Sequence, residues 1–487
     1  MLKRLLLGLA AVVAVLAAVC VIRTLSLPSP PGPLPAPAPL AIDDTQAIQR
    51  FSAAIRVRTI SEPEQPPDRQ AFDQLRAQIE QDFPLVQAHL QREIVGVGAL
   101  LYTWPGSDPS LKPALLMGHM DVVPVDAATL SKWTHPPYDG LVADGFVWGR
   151  GTLDDKSAVF STLEAAEALL QAGFTPKRTL IFAFGDDEEV GGSDGAAQIV
   201  ERLKQRGTQL EFVLDEGGSV TRGIVPGVVG DVALVGIAEK GYVSVRLRVH
   251  AEGGHSSMPQ PQTAIGILSR ALARLEAHQM PERLTPVGEQ MLDALAPQQP
   301  FAQRLVLSNR WLFRPLIVHL TGATPAGAAS LRTTTAETMF NAGVKDNVLP
   351  TEATAVVNFR ILPGDTIDSV FDHVRRTIAD PRVELAKLDN FGINPSPISS
   401  TTGFGFRSLS ETIRAEFPQA TVAPYLVVGA TDSAHYEPLT RDIFRFSPIV
   451  LEARDLERMH GIDERLPTKR YLKSIQFMGA LMRKVAG

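Results

Sequence analysis

The sequence predicts an α/β protein with a smaller α+β unit inserted into it, and three observations support this. Continuous apolar runs at 113–121, 178–185 and 210–217 end in acidic residues, as buried parallel strands do. Amphipathic helical patterns separate such runs. From about residue 240 the strands alternate apolar and polar residues, which is typical of antiparallel strands with one solvent-exposed face.

The chain begins with an apolar segment long enough to span a bilayer. A pair of basic residues precedes 18 consecutive apolar residues, Leu5 to Ile22, and a single arginine follows them. This charge bias predicts that residues 1–25 form a membrane anchor, with the rest of the chain on the non-cytoplasmic (periplasmic or extracellular) side. A cleaved signal segment, which would make the protein secreted, is the alternative.

The next segment, residues 26–42, contains the proline-rich stretch "SLPSPPGPLPAPAPL". So many prolines exclude a helix and favour extended polyproline II, so we expect a semi-rigid linker. The folded body then divides into a first α/β part at 43–239, an inserted α+β unit at 240–388 and a second α/β part at 389–487. Residues 281–340 exceed what the small unit requires, and the sequence does not place them.

The inserted unit shows a regular order of elements. "KGYVSVRLRVHAEGG" and "EATAVVNFRI" alternate as half-exposed strands do, and a helical pattern follows each of them. With a last strand in "RVELAKL", this order predicts a ferredoxin-like β-α-β-β-α-β sandwich.

Composition excludes some classes of function. The formal net charge is −6 over 487 residues, which gives no basic footprint for nucleic acid. The one cysteine, Cys20, lies in the N-terminal segment, so the folded body contains no internal disulfide.

Acidic and histidine residues collect at the predicted carboxyl edge of the sheet, where α/β proteins bind their ligands. Alone, each of these groups has a common structural explanation, such as a helix cap or a solvated loop. Together they favour a metal site, because imidazole with carboxylate is a donor set of zinc and similar divalent ions. The residues are His119 and Asp121 in "GHMD", Asp154 and Asp155 in "WGRGTLDDK", Glu188 and Glu189 in "GDDEEVGG", Asp215 and Glu216 in "LDEGG", and His460 in "MHGIDER".

Seven motifs in order resemble the aminoacylase/carboxypeptidase S family of co-catalytic di-zinc metallopeptidases. They are "GHMDVVPV", "WGRGTLDDK", "GDDEEVGG", "LDEGG", "GGHSSMP", "NVLP" and "MHGIDER". The match covers nearly all of residues 45–487 and lies nearest the carboxypeptidase S and N-fatty-acyl-amino-acid hydrolase branch. The resemblance implies an α/β/α catalytic domain with an inserted lid or dimerisation domain, two Zn²⁺ ions per chain, and a homodimer.

By position, the resemblance also implies the metal ligands. Each zinc ion would have one histidine, and one aspartate would bridge the pair. The implied ligands are His119, Asp154, Glu189, Asp215 and His460. Glu216 is the alternative to Asp215, and His435 in "GATDSAHY" is the alternative to His460.

The resemblance implies catalytic groups as well. Zinc lowers the pKa of a bound water to about 7, and Glu188 would take its proton and pass it to the leaving amine. Asp121 would orient His119. The inserted unit would stabilise the oxyanion and hold the substrate carboxylate through His255, Asn347 and Arg360.

These features predict a zinc-dependent metallocarboxypeptidase that cleaves the C-terminal peptide bond of small peptides. The alternative within this class is an amidohydrolase or synthase of N-acyl amino acids, including fatty-acyl ones. Residues 281–340 would then accommodate an acyl chain, touch the membrane, or simply enlarge a core. The alternative from another class is an inactive binding protein on the same fold, although the sequence retains the full set of ligands and the base.

Overall fold

The computed structural model describes residues 2–63, 65, 67–225, 227–228 and 230–487. The helices are α1 Leu2–Leu25, α2 Asp44–Arg56, α3 Arg69–Asp82, α4 Pro84–His89, α5 Lys156–Gln171, α6 Ala196–Gln205, α7 Ala264–Ala277, α8 Pro286–Leu295, α9 Phe301–Ser308, α10 Arg310–Gly322, α11 Pro325–Leu331, α12 Ile367–Ile378, α13 Phe404–Glu416, α14 Ala453–Leu456 and α15 Thr468–Ala486. The strands are β1 Gln91–Val95, β2 Ala99–Trp104, β3 Ala114–His119, β4 Val142–Ala143, β5 Phe146–Trp148, β6 Leu180–Gly185, β7 Phe212–Arg222, β8 Asp231–Glu239, β9 Gly241–His250, β10 Gly254–His255, β11 Thr334–Ala342, β12 Val348–Leu349, β13 Glu352–Ile361, β14 Val383–Ile393, β15 Ala420–Val427, β16 Ile443–Leu451 and β17 Arg465–Pro467.

The main sheet has eight strands in the order β1-β2-β6-β3-β7-β16-β8-β15. Its central strands β6, β3, β7 and β16 run parallel, whereas β1, β2 and the β16–β8 pair are antiparallel, so the sheet is mixed. The three apolar runs of the sequence are β3, β6 and β7, which lie side by side. The predicted α/β class is therefore confirmed.

Apolar side chains fix which face of the sheet each residue occupies. Leu116 and Leu214 pack in one hydrophobic cluster with residues of α2, α3, α5, α13 and α15. Leu115, Met117 and Val213 pack in a second cluster with residues of α6. Because successive strand residues alternate between faces, helices cover both faces of the sheet and every central strand is buried.

A second sheet has four antiparallel strands in the order β11-β13-β9-β14. Helices α7 and α12 pack on it around Val245, Leu268, Val357 and Val374, which are fully buried. Strand β11, the outer neighbour of β13, comes from the range 281–340 that the sequence did not place. The rest of that range is mostly helical, and Leu295 of α8 packs with Leu234 and Ala423 of the main sheet. The domain boundaries themselves stay predictions.

The N-terminal segment has two parts. Among the described residues, α1 is the one helix long and apolar enough to cross a membrane, with a mean hydropathy of 3.1 over its most apolar window. The following proline-rich segment is neither helix nor strand, and it lies along the body rather than away from it. Arg414 donates to the Gly32 carbonyl at 2.8 Å, and Gln476 accepts from the Leu40 amide at 2.7 Å.

Candidate metal centre

Three of the predicted ligands meet at the carboxyl edge of the main sheet. His119 ends β3, Asp154 lies in the turn before α5, and Glu189 lies in a short 3-10 turn after β6. One ligand atom from each of them lies within 4.8 Å of the other two. The parallel order of β6 and β3 is what brings the first and third of these residues together.

Asp154 contacts two histidines with its two carboxylate oxygens. Oδ1 lies 2.9 Å from His119 Nε2, and Oδ2 lies 3.0 Å from His460 Nε2. Burial tends to raise the pKa of Asp154, but the hydrogen bonds from both histidines outweigh burial and lower that pKa below its usual value. Contacts with the carboxylates of Asp154 and Glu189 raise the pKa of His460 to about 10. Asp154 therefore lies between His119 and His460, and its bridging role stays a prediction.

The backbone aims His460 at the cluster. His460 has a left-handed φ of 57°, which is uncommon for a residue with a side chain. Its Nε2 is also 3.3 Å from Glu189 Oε1. His435, the alternative, instead has its Nε2 3.1 Å from the Gly191 carbonyl oxygen. The geometry favours His460.

Asp121 joins the two loops that carry the site. It is fully buried, and its two oxygens accept the backbone N–H groups of Glu188 and Glu189 at 3.2 and 3.1 Å. Its Oδ1 also lies 3.3 Å from His119 Nδ1. Burial opposes protonation of His119, but the carboxylates of Asp121 and Asp154 outweigh it and raise the His119 pKa well above its usual value.

The four consecutive acids after β6, residues 186–189, have different surroundings. Asp187 accepts the backbone N–H groups of Asp194 and Gly195 at 2.7 and 2.8 Å and so shapes the loop. Burial raises the pKa of Asp186 to about 7. Burial, together with neighbouring carboxylates, raises the pKa of Glu188 well above its usual value although the His119 charge opposes this.

Asp215 and Glu216 lie at the bend of β7 near the cluster. Residues 115, 117, 213 and 215 share one face of the paired strands β3 and β7, so Asp215 lies on the face of His119. Its Oδ2 accepts the Ser433 N–H at 3.0 Å. Burial and the nearby charges of Asp154, Asp155 and Glu188 raise the pKa of Glu216 well above its usual value. Both acids belong to the same negatively charged region.

Sequence reasoning missed two buried ion pairs that support this region. Glu464 pairs with Arg150 and accepts the backbone N–H of Leu153 at 2.8 Å, so it ties the His460 loop to the Asp154 turn. Arg445 lies 2.8 Å from Glu239 and donates to Ser433, the residue that contacts Asp215. Both members of the first pair lie in quoted motifs, Glu464 in "MHGIDER" and Arg150 in "WGRGTLDDK". Arg445 occurs within an apolar strand and carries no local signal of a site.

The predicted substrate-side residues lie elsewhere. His255 in β10 pairs with Val348 in β12, and Asn347 accepts the Ser256 N–H at 3.2 Å, so these two predicted residues are neighbours. Arg360 of β13 stacks over the Tyr242 ring at 4.8 Å. Among the described residues, none of the three side chains hydrogen-bonds to the cluster around Asp154.

The donor set fits a divalent cation. Glu189 Oε1 is buried and, within the described part of the chain, accepts no hydrogen bond. Four acids around the centre have pKa values well above their usual values. Burial away from water raises these pKa values, and the neighbouring negative charges raise them further. The four acids are Asp155, Glu188, Glu216 and Asp432. Positive charge at the centre would relieve that repulsion, and carboxylate with imidazole suits zinc and related ions.

Comparison with known proteins assigns the chain to a family. A family model described as "Peptidase family M20/M25/M40" matches residues 115–484, which is more than half of the chain. The chain belongs to this peptidase family. The resemblance drawn from the seven motifs and the prediction of an enzyme are thereby confirmed.

Relatives and solved structures agree with this assignment. A probable carboxypeptidase S-like protein 2 of Dictyostelium discoideum is 43% identical over 451 residues, covering 91% of this chain and 85% of the relative. An N-fatty-acyl-amino acid synthase/hydrolase of Xenopus tropicalis is 40% identical over 472 residues, covering 95% and 91%. An M20 family metallo-carboxypeptidase from Sulfolobus solfataricus has the same fold, with a TM-score of 0.66 at 16% identity over 91% of this chain and 99% of that one.

Membership of this family supports a metal-dependent hydrolase but does not decide the finer predictions. M20 peptidases depend on metal, and the cluster around Asp154 gives this member a candidate site. The identity and number of the ions, the role of each residue, the homodimer and the side of the membrane stay predictions.

Replacing Asp121 tests its positioning role in this M20 peptidase. In Asp121→Asn one oxygen becomes an NH₂ group, which cannot accept the backbone N–H of Glu188 or Glu189. We expect metal affinity to fall by about 10–100-fold, as loss of an outer partner does, with kcat reduced and KM little changed. Competition with a chromophoric chelator measures the affinity. Asp126→Asn, at an exposed acid that caps a 3-10 turn, is the matched control. Equal affinities in the two variants would contradict the role.

A pair of variants distinguishes the two acids of β7. If Asp215 is the ligand, Asp215→Asn lowers metal content more than Glu216→Gln does, because a lost ligand costs more than a lost neighbouring charge. We expect Asp215→Asn to exceed the about 10–100-fold loss of affinity typical of an outer residue. Elemental analysis after dialysis against a chelator measures this. If Glu216→Gln instead loses more metal than Asp215→Asn, Glu216 is the ligand.

Proposed function

We propose that the protein is a two-metal amidohydrolase that cleaves an amide bond to an amino acid with a free carboxylate. The observation that carries this proposal is the contact of Asp154 with both His119 and His460 through separate oxygens. A carboxylate in that position suits a bridge between two cations, and paired ions serve hydrolases of amides.

Five side chains would hold the ions. Zinc is the ion that we propose, since these donors are imidazole nitrogen and carboxylate oxygen. When bound, zinc polarises the carbonyl oxygen of a substrate and lowers the pKa of water to about 7. The residues are His119, Asp154, Glu189, Asp215 and His460.

Glu188 would be the general base. Its backbone is fixed by Asp121, and its raised pKa makes it able to accept a proton from water and then donate that proton to the leaving amine. Glu189, the next residue, points its Oε1 toward His460 instead. The adjacent acids therefore have separate roles in this proposal: one binds metal and the other moves a proton.

The inserted unit would supply the groups that recognise the substrate. His255 is exposed on β10, so it is accessible to donate a hydrogen bond to the oxyanion of a substrate that lies between the inserted unit and the main sheet. Asn347 lies beside it, and Arg360 offers a fixed guanidinium for a carboxylate. An exposed His255 also suits a homodimer in which each subunit completes the site of the other.

Small peptides with a free C-terminus are the first proposed substrates, in line with the carboxypeptidase S-like relative. N-acyl amino acids are the second candidate. Two observations favour them: the relative named an N-fatty-acyl-amino acid synthase/hydrolase covers almost the whole chain, and α9 and α10 expose several large apolar side chains. Both substrate types present the same scissile amide and carboxylate.

We also propose that α1 remains attached as a membrane anchor and holds the body on the non-cytoplasmic side. The basic residues before the apolar run exceed those after it. Contacts of the end of α1 with the body support retention of the helix, since cleavage would expose the groups that it covers.

Glu188→Gln tests the base. Glutamine keeps the shape but cannot accept a proton, so we expect kcat to fall by about 10²–10⁴-fold with KM and metal content little changed. Steady-state hydrolysis of a blocked dipeptide measures the rate, and elemental analysis verifies the metal. A near-normal kcat in this variant would contradict the assignment of Glu188 as the general base.

Substrate comparison tests the proposed reaction. Full-length enzyme is assayed with a blocked dipeptide, an N-acetyl amino acid and an N-oleoyl amino acid, each with and without a chelator. We expect hydrolysis of at least one, loss of that activity on chelation, and recovery on adding Zn²⁺. Preference for the oleoyl compound would select the second candidate. Activity unaffected by thorough removal of metal would contradict the mechanism.

A further inference from the structure

The end of α1 is packed into the body, although most of the helix is not. Residues 2–19 are exposed, whereas Cys20 and Thr24 are buried against α9 and α10. Thr24 Oγ1 lies 2.9 Å from Ser308 Oγ, and Asn309 Nδ2 donates to the Cys20 carbonyl at 3.1 Å. Asn309 is itself fully buried, and its Nδ2 also donates to the Leu305 carbonyl of α9 at 2.9 Å, so this side chain links α1 to α9.

The length of the exposed part fixes where this contact lies relative to a bilayer. Residues 2–19 rise about 27 Å along the helix axis. The hydrocarbon core of a bilayer is about 30 Å thick. If α1 spans the membrane, the contact at Cys20 and Thr24 lies at the surface of the hydrocarbon layer, and Ser308 and Asn309 lie at the same depth.

The helices that make this contact carry large apolar side chains on their exposed surface. Helix α9 precedes the contact residues Ser308 and Asn309 in the chain, and α10 follows them. The exposed apolar side chains are Phe301 on α9 and Trp311, Leu312, Leu316 and Leu320 on α10. Leu312, Leu316 and Leu320 are spaced four residues apart, so they form one stripe on α10. Ile317, on the other side of α10, is buried. Such a patch is unusual on a surface that faces only water.

We propose that α9 and α10 lie in the membrane interface beside α1, with this apolar stripe among the lipid acyl chains. The proposal rests on the proposed retention of α1 as an anchor. It adds a second contact with the bilayer, made by α9 and α10. A tryptophan at the headgroup level and leucines below it are the arrangement of interfacial helices.

Apolar contact, more than charge, would drive this association. Two arginines of α10 already have acidic partners: Arg310 lies 2.7 Å from Asp293, and Arg314 pairs with Glu289. Arg304 lies over the Phe301 ring at 5.8 Å. The occupant is therefore a lipid surface of any headgroup. Continuity of the stripe with α1 favours lipid over a second copy of this chain.

Docking of α9 and α10 at the membrane would affect which substrates reach the proposed amidohydrolase. An N-acyl amino acid with a long chain concentrates in the same interface, whereas a small hydrophilic peptide does not. A body held at that surface would meet the first kind of substrate at high local concentration.

Tryptophan fluorescence tests the docking. Trp311 is 53% exposed, whereas the other three tryptophans, Trp104, Trp133 and Trp148, are buried. The full-length protein is placed in nanodiscs of phosphatidylcholine whose acyl chains carry bromine, a short-range quencher. We expect bromolipid to quench the parent protein, most strongly when bromine lies near the headgroup. Trp311→Phe, which keeps an apolar ring, should lose most of that quenching.

The outcomes separate this proposal from the anchor on which it rests. Equal quenching in the parent and in Trp311→Phe overturns the docking. The intact mass of the purified protein reports whether α1 is present: a mass without α1 overturns the anchor and the docking together. Retained α1 with unquenched Trp311 overturns the docking alone. Neither result affects the hydrolysis assays, which test the proposed reaction.

A cysteine pair tests the contact itself. In a variant with Cys20→Ala, Thr24→Cys and Ser308→Cys, mild oxidation should form an intramolecular disulfide, because the parent oxygens are 2.9 Å apart. The same variant with Leu7→Cys in place of Thr24→Cys is the control, since Leu7 is exposed far along α1. Equal cross-linking in both would overturn the defined contact.

Discussion

The carboxylate of Asp154 is the point on which the rest of the site depends. Its two oxygens contact imidazoles from distant parts of the sequence, His119 at the end of β3 and His460 near the C-terminus. These contacts require the C-terminal part of the chain to return to the sheet that the first part begins. Strand β16 meets this requirement by pairing in parallel with β7, and Glu464 holds the following loop against the Asp154 turn.

The fold tolerates a concentration of like charge that would be unfavourable elsewhere. Two carboxylates about 4 Å apart repel by roughly 1 kcal/mol in water and about 4 kcal/mol at an intermediate dielectric. Here burial and mutual repulsion raise the pKa of Glu188 and Asp432 well above usual. Backbone N–H groups offset part of the cost, as at Asp121, and histidines offset more. A site of this kind is suited to hold cations, because added positive charge would relieve the repulsion that remains among its carboxylates.

The sequence predicted what local patterns encode and missed what only the tertiary structure brings together. Strands β3, β6 and β7 were predictable because burial on both faces makes each a continuous apolar run. The Arg445–Glu239 pair was not, because its partners are distant in the chain and lie within apolar strands. Strand β11 was missed for a physical reason as well: most of its residues are exposed at the sheet edge, so it lacks the apolar alternation that marks β9 and β13. The candidate site residues each lie in a short motif, and three of them, His119, Asp154 and Glu189, meet in the structure.

Contacts along the proline-rich segment change how the N-terminus connects to the body. A polyproline II backbone makes no internal hydrogen bonds, so its carbonyls are free to accept hydrogen bonds from water or from other parts of the protein. Arg414 donates to Gly32, Arg483 donates to Ala38 at 2.7 Å, and Leu40 is buried against α15. These contacts hold the segment against the body, where a free linker would let the body rotate. Because α1 is also fixed at its end by Asn309, the direction in which α1 leaves the body is set by the fold. If α1 spans a membrane as proposed, a helix fixed in this way would orient the candidate metal centre relative to that membrane as well as attach it.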